Sequence, residues 1–219
     1  MGLIWRKFWL AGSRSLRGDL VDMKIFNKWD VSGISVADLG LRNYITIAPS
    51  LFPKSSGRLS KHQFYKSKMN IIERLITKMM VPGHKSKKHF LTSGRVVGRY
   101  ITTYNIVNKA FDKIHEKIKK NPVEVLVRAL ENAAVREEIA GYQVGGIIVR
   151  RAVITSPQRR VDAALRVLVQ ATYKKAFGKK ETIVDALTNE IIATYNNDNQ
   201  KSDAIKERER VEKEAEGSR

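Results

Sequence analysis

The chain has 219 residues, 42% of them apolar, enough for one packed core with arms. A formal charge of +19 and an isoelectric point near 10.2 exceed what solubility requires and point to a polyanionic partner, nucleic acid ahead of an anionic membrane. With no cysteine, disulfides and thiolate metal sites are excluded, and the four histidines lack metal-ligand spacing.

No apolar run reaches the ~18 residues of a membrane span, so a soluble protein with no membrane partner is expected. At the N-terminus, Arg6 and Lys7 interrupt what would be the apolar centre of a signal peptide, and Met23 offers a second start. Residues 1–22 therefore read as an extension. Residues 23–69 read as a basic irregular arm, because Gly33, Pro49, Pro53 and Gly57 break every apolar period, with one short strand expected from Tyr44 to Ile47.

A helical core is predicted over residues 70–197. Its first helix starts at Asn70, carries Ile71, Leu75 and Met79 on one face, and stops at Pro82 and Gly83. A lysine-rich loop follows. The spacing next predicts the longest helix, from about Gly94 to Lys119, with Val97, Ile101, Tyr104, Phe111, Ile114 and Ile118 inward. At Asn121 to Glu124, an N-cap, a proline at the first position and a glutamate at the third start another helix, carrying Leu126, Leu130 and Ala134.

After Glu138 the helical period gives way to β-branched residues on both sides of Gly145 and Gly146, which predicts a β-hairpin over 139–155 with a two-residue turn. Ser156 and Pro157 repeat the cap-plus-proline signal, so Gln158, Arg159 and Arg160 open a helix that turns Ala164, Leu165, Leu168 and Thr172 inward. A fifth helix carries Ile183, Ala186, Leu187, Glu190 and Ile191. Residues 198–219 form a charged C-terminal helix or tail whose mixed signs and narrow apolar stripe predict fraying. The expected fold is mostly α: five or six helices, one protruding β-hairpin and an irregular N-terminal arm.

Catalytic patterns are wanting. PGHKSKKH and FGKKET lack the spacing of a phosphate loop, GRVVG suits helix packing, and Glu137 and Glu138 diverge rather than pair. Neither an enzyme nor a cofactor nor a small-molecule substrate is expected. Charge is concentrated instead: from Lys54 to Lys120, 17 lysines and arginines stand against Glu73, Asp112 and Glu116. Candidate RNA contacts are Lys54, Arg58, Lys61, Lys66 and Lys68 in the arm, and His84, Lys85, Lys87 and Lys88 in the loop. Arg95 and Arg99 follow, with Arg150 and Arg151 on the hairpin, Gln158, Arg159 and Arg160 at the helix mouth, and Lys174, Lys175, Lys179 and Lys180 beyond. A basic DNA-binding or chromatin protein would suit the same charge but lacks a recognition-helix or dimer motif, and an RNA-modifying enzyme would need a site that no motif supplies.

The run VGGIIVRRAVITSPQRR, with Val144, Gly145 and Gly146 and then Arg159 and Arg160, resembles the protein-seven family of the small ribosomal subunit. KMNIIERLITKMMVPGHKSKK, NPVEVLVRALENAAV, ALTNEI and IKERERVEKEAE fall in matching order, so the resemblance covers about Met23 to Glu216. It implies a non-catalytic protein that binds the 3′ major (head) domain of small-subunit rRNA and organises head assembly. Neighbouring head and platform proteins, exit-site tRNA and mRNA are the other implied partners, with a cytoplasmic location in the small subunit. The hairpin tip, Tyr142, Gln143, Val144, Gly145 and Gly146, is implied to reach the exit-tRNA and mRNA path. IAGYQVGGIIVRR looks like the archaeal and eukaryotic branch; Ile139 to Gln143 stand where the bacterial branch is more basic, which weakens any transfer of phosphate contacts from that strand.

Overall fold

The computed structural model describes residues 24–50, 57–81, 83–85, 88–89 and 96–219; the 1–22 extension lies outside them. Six α-helices occur among these residues: α1 (Ile71–Met79), α2 (Tyr100–Ile118), α3 (Pro122–Ala133), α4 (Pro157–Ala176), α5 (Ile183–Tyr195) and α6 (Asp203–Glu216). Strands β3 (Glu137–Val144) and β4 (Ile147–Ile154) form the antiparallel ribbon. Within the lysine-rich loop, β1 (His84–Lys85) and β2 (Lys88–His89) make a second, two-rung ladder. The predicted mostly helical fold with one protruding hairpin is what the chain adopts.

Local signals set most helix starts. Asn70 Oδ1 accepts from the Ile72 amide at 2.8 Å, Asn121 Oδ1 from Val123 at 3.0 Å and Thr182 Oγ1 from Asp185 at 3.2 Å. Ser156 makes no such bond, so the fixed φ of Pro157 starts α4 without side-chain capping. Helix α2 begins only at Tyr100, because Gly98 has φ +70° and Arg99 is non-helical, and α4 is longer by one residue. Val97, which precedes that start, is exposed rather than inward, and so is Ile101, in the first turn but off the buried face of α2, which is Thr103, Ile106, Val107, Ala110, Phe111 and Ile114.

Phe111, Leu75, Leu126, Leu130, Leu168, Leu187 and Ile191 are fully buried, and the core they form also contains Ile25, Leu41 and Ile45 from the arm. Two asparagine caps fasten that arm by donating outward from the helix starts. Asn70 Nδ2 reaches the carbonyls of Ile47 and Ala48, each at 2.9 Å, and Asn121 Nδ2 reaches that of Asp30 at 2.6 Å. The strand expected from Tyr44 to Ile47 is reduced to one parallel bridge, Thr46 to Asn70.

The C-terminal segment departs from expectation too. Rather than fraying, α6 packs on α4, α5 and the base of the ribbon, burying Ala204, Ile205 and Ala215. Its anchor is Glu190, wholly buried on α5, which accepts from Ser202 Oγ at 2.9 Å and the Ala204 amide at 3.0 Å and pairs with Lys175 of α4. Ser202 in turn caps α6, accepting from the Ile205 amide at 3.2 Å. One carboxylate thus joins three helices, a tertiary device that supplies what the narrow apolar stripe lacks.

Candidate nucleic-acid interface

The ribbon is in register from Glu137 opposite Ile154 to Val144 opposite Ile147, closed by Gly145 and Gly146 at φ +54° and +87°. Positive φ at both turn positions is the demand of a type I′ turn; an added Cβ would meet nothing within 4 Å, so conformation rather than space selects glycine there. Every residue from 141 to 150 is exposed. Tyr142, Val144, Ile147 and Val149 share one face of the outer ribbon, while Gln143, Ile148 and Arg150 share the other. Arg150 and Arg151, predicted as contacts, are exposed on opposite faces and make no hydrogen bond or ion pair with a described residue.

At its base the ribbon is gripped from two sides. Arg159, in the first turn of α4, donates to Glu138 Oε2 at 2.8 Å, and this bond outweighs partial burial to raise the pKa of the guanidinium. Arg219, just past α6, donates from one guanidinium nitrogen to both Glu137 oxygens, at 2.7 and 2.6 Å, and Glu212 accepts the Arg136 amide at 3.0 Å. Successive strand residues point to opposite faces, so the adjacent Glu137 and Glu138 serve two clamps.

Arg160, beside Arg159, acts elsewhere. Its side chain is 14% exposed and donates to Asp38 Oδ2 at 2.8 Å, fastening the arm to α4, while Glu131 of α3 accepts the Ala37 and Asp38 amides. The Gln158 amide is enclosed without a hydrogen-bond partner among the described residues.

Burial works to raise the Asp38 carboxyl pKa, but the Gly40 amide and Arg160 outweigh it and hold the group below its ordinary 3.8. Asp162 behaves alike: burial raises, Lys66 and Arg74 lower, and lowering wins. A depressed folded pKa gives stability that is fully present above the unfolded value and lost as pH falls from about 3.8 through the folded one. The double variant Asp38→Asn, Asp162→Asn is therefore expected to lose stability less steeply below about pH 4 in acid unfolding; a curve parallel to the wild type would contradict this.

The remaining predicted contacts divide by partner. Lys61 is exposed and unpaired among the described residues, and Lys68 is exposed with its Nζ 4.0 Å from the Tyr65 ring centre. His62 tilts against the same ring, and Phe64, which sequence reasoning did not single out, is 58% exposed beside them. Lysines interleaved with open aromatic faces are what unpaired bases and phosphates require. Arg99, Lys179 and Lys180 are exposed and unpaired among the described residues. Lys66 pairs with Asp162, Lys174 with Asp203 at 3.3 Å, and Lys175 with Glu190. Arg58 lies in a short 3-10 helix, and His84, Lys85 and Lys88 lie in the two-rung ladder; Lys54, Lys87 and Arg95 lie outside the described residues.

A profile of the family described as Ribosomal protein S7p/S5e matches residues 51–219. The chain belongs to this family. Similar proteins of the family are named Small ribosomal subunit protein uS7. That of Nanoarchaeum equitans is 45% identical over 197 residues, covering 90% of this chain and 99% of the relative. Those of Methanothrix thermoacetophila and Archaeoglobus fulgidus are 41% and 40% identical over 197 and 198 residues, each covering 90% of this chain and 100% and 96% of the relative. All three organisms are archaea, in line with the branch that the hairpin sequence resembles. The S7p/S5e family is structural rather than enzymatic. No helix among the described residues is long and apolar enough to cross a membrane.

Proposed function

We propose that this chain is a structural component of the small ribosomal subunit that binds the 3′ major domain of its rRNA. It helps to organise the subunit head, beside neighbouring head and platform proteins, and extends its ribbon toward the exit-site tRNA and mRNA. Cytoplasmic ribosomes are its location. Family membership supports the ribosomal reading. The observation that carries the mechanism is the ribbon: eleven successive exposed residues, 141–151, two of them arginines unpaired among the described residues, held at the base by ion pairs to Arg159 of α4 and to Arg219.

A two-stranded ribbon is marginal in water, so one held away from its own core gains order from what it docks against. The cations without an ion pair among the described residues, Lys61, Lys68, Arg99, Arg150, Arg151, Lys179 and Lys180, provide affinity through phosphates, while the clamped ribbon provides register. Lys54, Arg58, the loop residues His84, Lys85, Lys87 and Lys88, and Arg95 complete the proposed contact set. Arg159 and Arg160 act on RNA indirectly, by positioning ribbon and arm.

Affinity for a transcript of the rRNA 3′ major domain is expected to fall steeply with salt, and Lys85→Gln, Lys87→Gln, Lys88→Gln together to weaken it without altering the far-ultraviolet circular dichroism. A log-log slope corresponding to fewer than about three released ions would defeat the electrostatic account. Unchanged affinity of the triple variant would remove the loop from the contact set.

A further inference from the structure

Arm and ribbon meet at the mouth of α4. Arg160 Nη2 donates to Asp38 Oδ2 of the arm at 2.8 Å, while Arg159 Nη2 donates to Glu138 Oε2 of the ribbon at 2.8 Å. Just before the helix, the Thr155 amide donates to the Arg136 carbonyl at the ribbon base, at 2.9 Å. The arm side of this junction is anchored from elsewhere: Glu131 Oε1 of α3 accepts the Ala37 and Asp38 amides at 2.6 and 3.2 Å, and Asp38 Oδ1 accepts the Gly40 amide at 2.8 Å. Asp38 is thus a carboxylate fixed against α3, and Arg160 is the cation that comes to it. Burial raises the Asp38 pKa; the Gly40 amide, Arg160 and then Arg136 lower it by more, so the field of the ribbon base reaches the arm as well.

We propose that Asp38 is a positioning residue for the ribbon, acting through Arg160 and the first turn of α4, so that arm and ribbon order each other. The Arg160 side chain is 14% exposed, and Asp38 is the carboxylate that pairs with it among the described residues. Without that charge the guanidinium is left enclosed and uncompensated, a burden relieved by a shift of the first turn of α4. Arg159 is the neighbouring residue, about 100° further round the same turn, so such a shift carries its guanidinium away from Glu138. The Thr155 bond to Arg136 moves with it. Residues 141–151 are all exposed, so the direction of the outer ribbon is set at its base, by these contacts and by those of the C-terminal segment. At ~3.3 Å per residue the turn stands roughly 23 Å beyond Glu138, and a tilt of about 10° at the base moves it roughly 4 Å. Under the proposed function, rRNA that holds the arm would aim the ribbon as well; the coupling itself is a property of the free protein and does not depend on that reading.

Asp38→Asn tests the coupling in the free protein, because it removes the charge facing Arg160 and keeps an oxygen for the Gly40 amide. In native-state amide exchange, the ribbon amides from Ile139 to Ala152 are expected to exchange roughly 5-fold faster, the lower end for coupling between sites, while those of α3 keep their rates. Linkage is reciprocal, so Glu138→Gln should quicken exchange of the Ala37 and Asp38 amides by a similar factor. In the double variant the ribbon should exchange little faster than in Glu138→Gln alone, since the route from Asp38 is already cut. Unchanged ribbon exchange in Asp38→Asn, or two effects that multiply in full, would overturn the coupling. Equal acceleration of ribbon and α3 amides would overturn it too, by showing a loss of global stability instead.

Discussion

Replacing Glu190 by alanine is expected to destabilise the protein by about 3 kcal/mol, the lower end for breaking a buried ion pair. The lower end applies because Lys175 keeps 23% of its side chain exposed and recovers some hydration. Three groups lose an acceptor together: Lys175 Nζ, which keeps the Lys201 carbonyl at 2.7 Å, the Ser202 hydroxyl and the Ala204 amide. For a chain of this length that loss corresponds to a melting temperature lower by roughly 6–12 °C. Glu190→Gln keeps an oxygen for Ser202 and Ala204 and removes only the charge, so its effect should be smaller. Amide exchange locates the damage: in the alanine variant α6 should exchange like a frayed end while α3 remains protected. Equal melting temperatures for wild type and Glu190→Ala would contradict the account of how the C-terminal helix is held.

Deleting Tyr142 to Val149 and closing the gap with a short turn is expected to leave the core almost untouched and to cripple the assembled particle. The deleted residues are exposed, and the clamps Arg159 to Glu138 and Arg219 to Glu137 lie nearer the base and survive. Replacing Gly145 and Gly146 by valine is the milder form, imposing about 1–2 kcal/mol of strain per residue at the tip alone. Under the proposed function, reconstituted small subunits carrying the shortened ribbon should lose exit-site tRNA and reading-frame accuracy. A large fall in melting temperature with normal tRNA retention would show that the ribbon belongs to the core.

What was legible in the sequence was local. The helix start at Asn121 and Pro122 and the turn at Gly145 and Gly146 are decided by backbone groups within three residues, so residue type alone reveals them. The fraying expected of the last helix had the same local basis and failed, because Glu190 and Lys175 act from other helices. The two arginines at the mouth of α4 stood out in the sequence, but their tasks did not: Arg160 reaches Asp38, 122 residues away, and Arg159 reaches the ribbon. Val97 fits a helical period that the positive φ of Gly98 interrupts, whereas Ile101 lies within α2 on its exposed side.

Under the proposed function, the excess charge and the projecting ribbon serve one RNA. Crosslinking the chain to RNA in cells, recovering it under denaturing conditions and sequencing the attached fragments tests this directly. Fragments of the 3′ major domain of small-subunit rRNA are expected to dominate, with ribbon-tip residues crosslinked to tRNA or mRNA. Fragments spread evenly over cellular RNA, or chromosomal DNA recovered in their place, would contradict it.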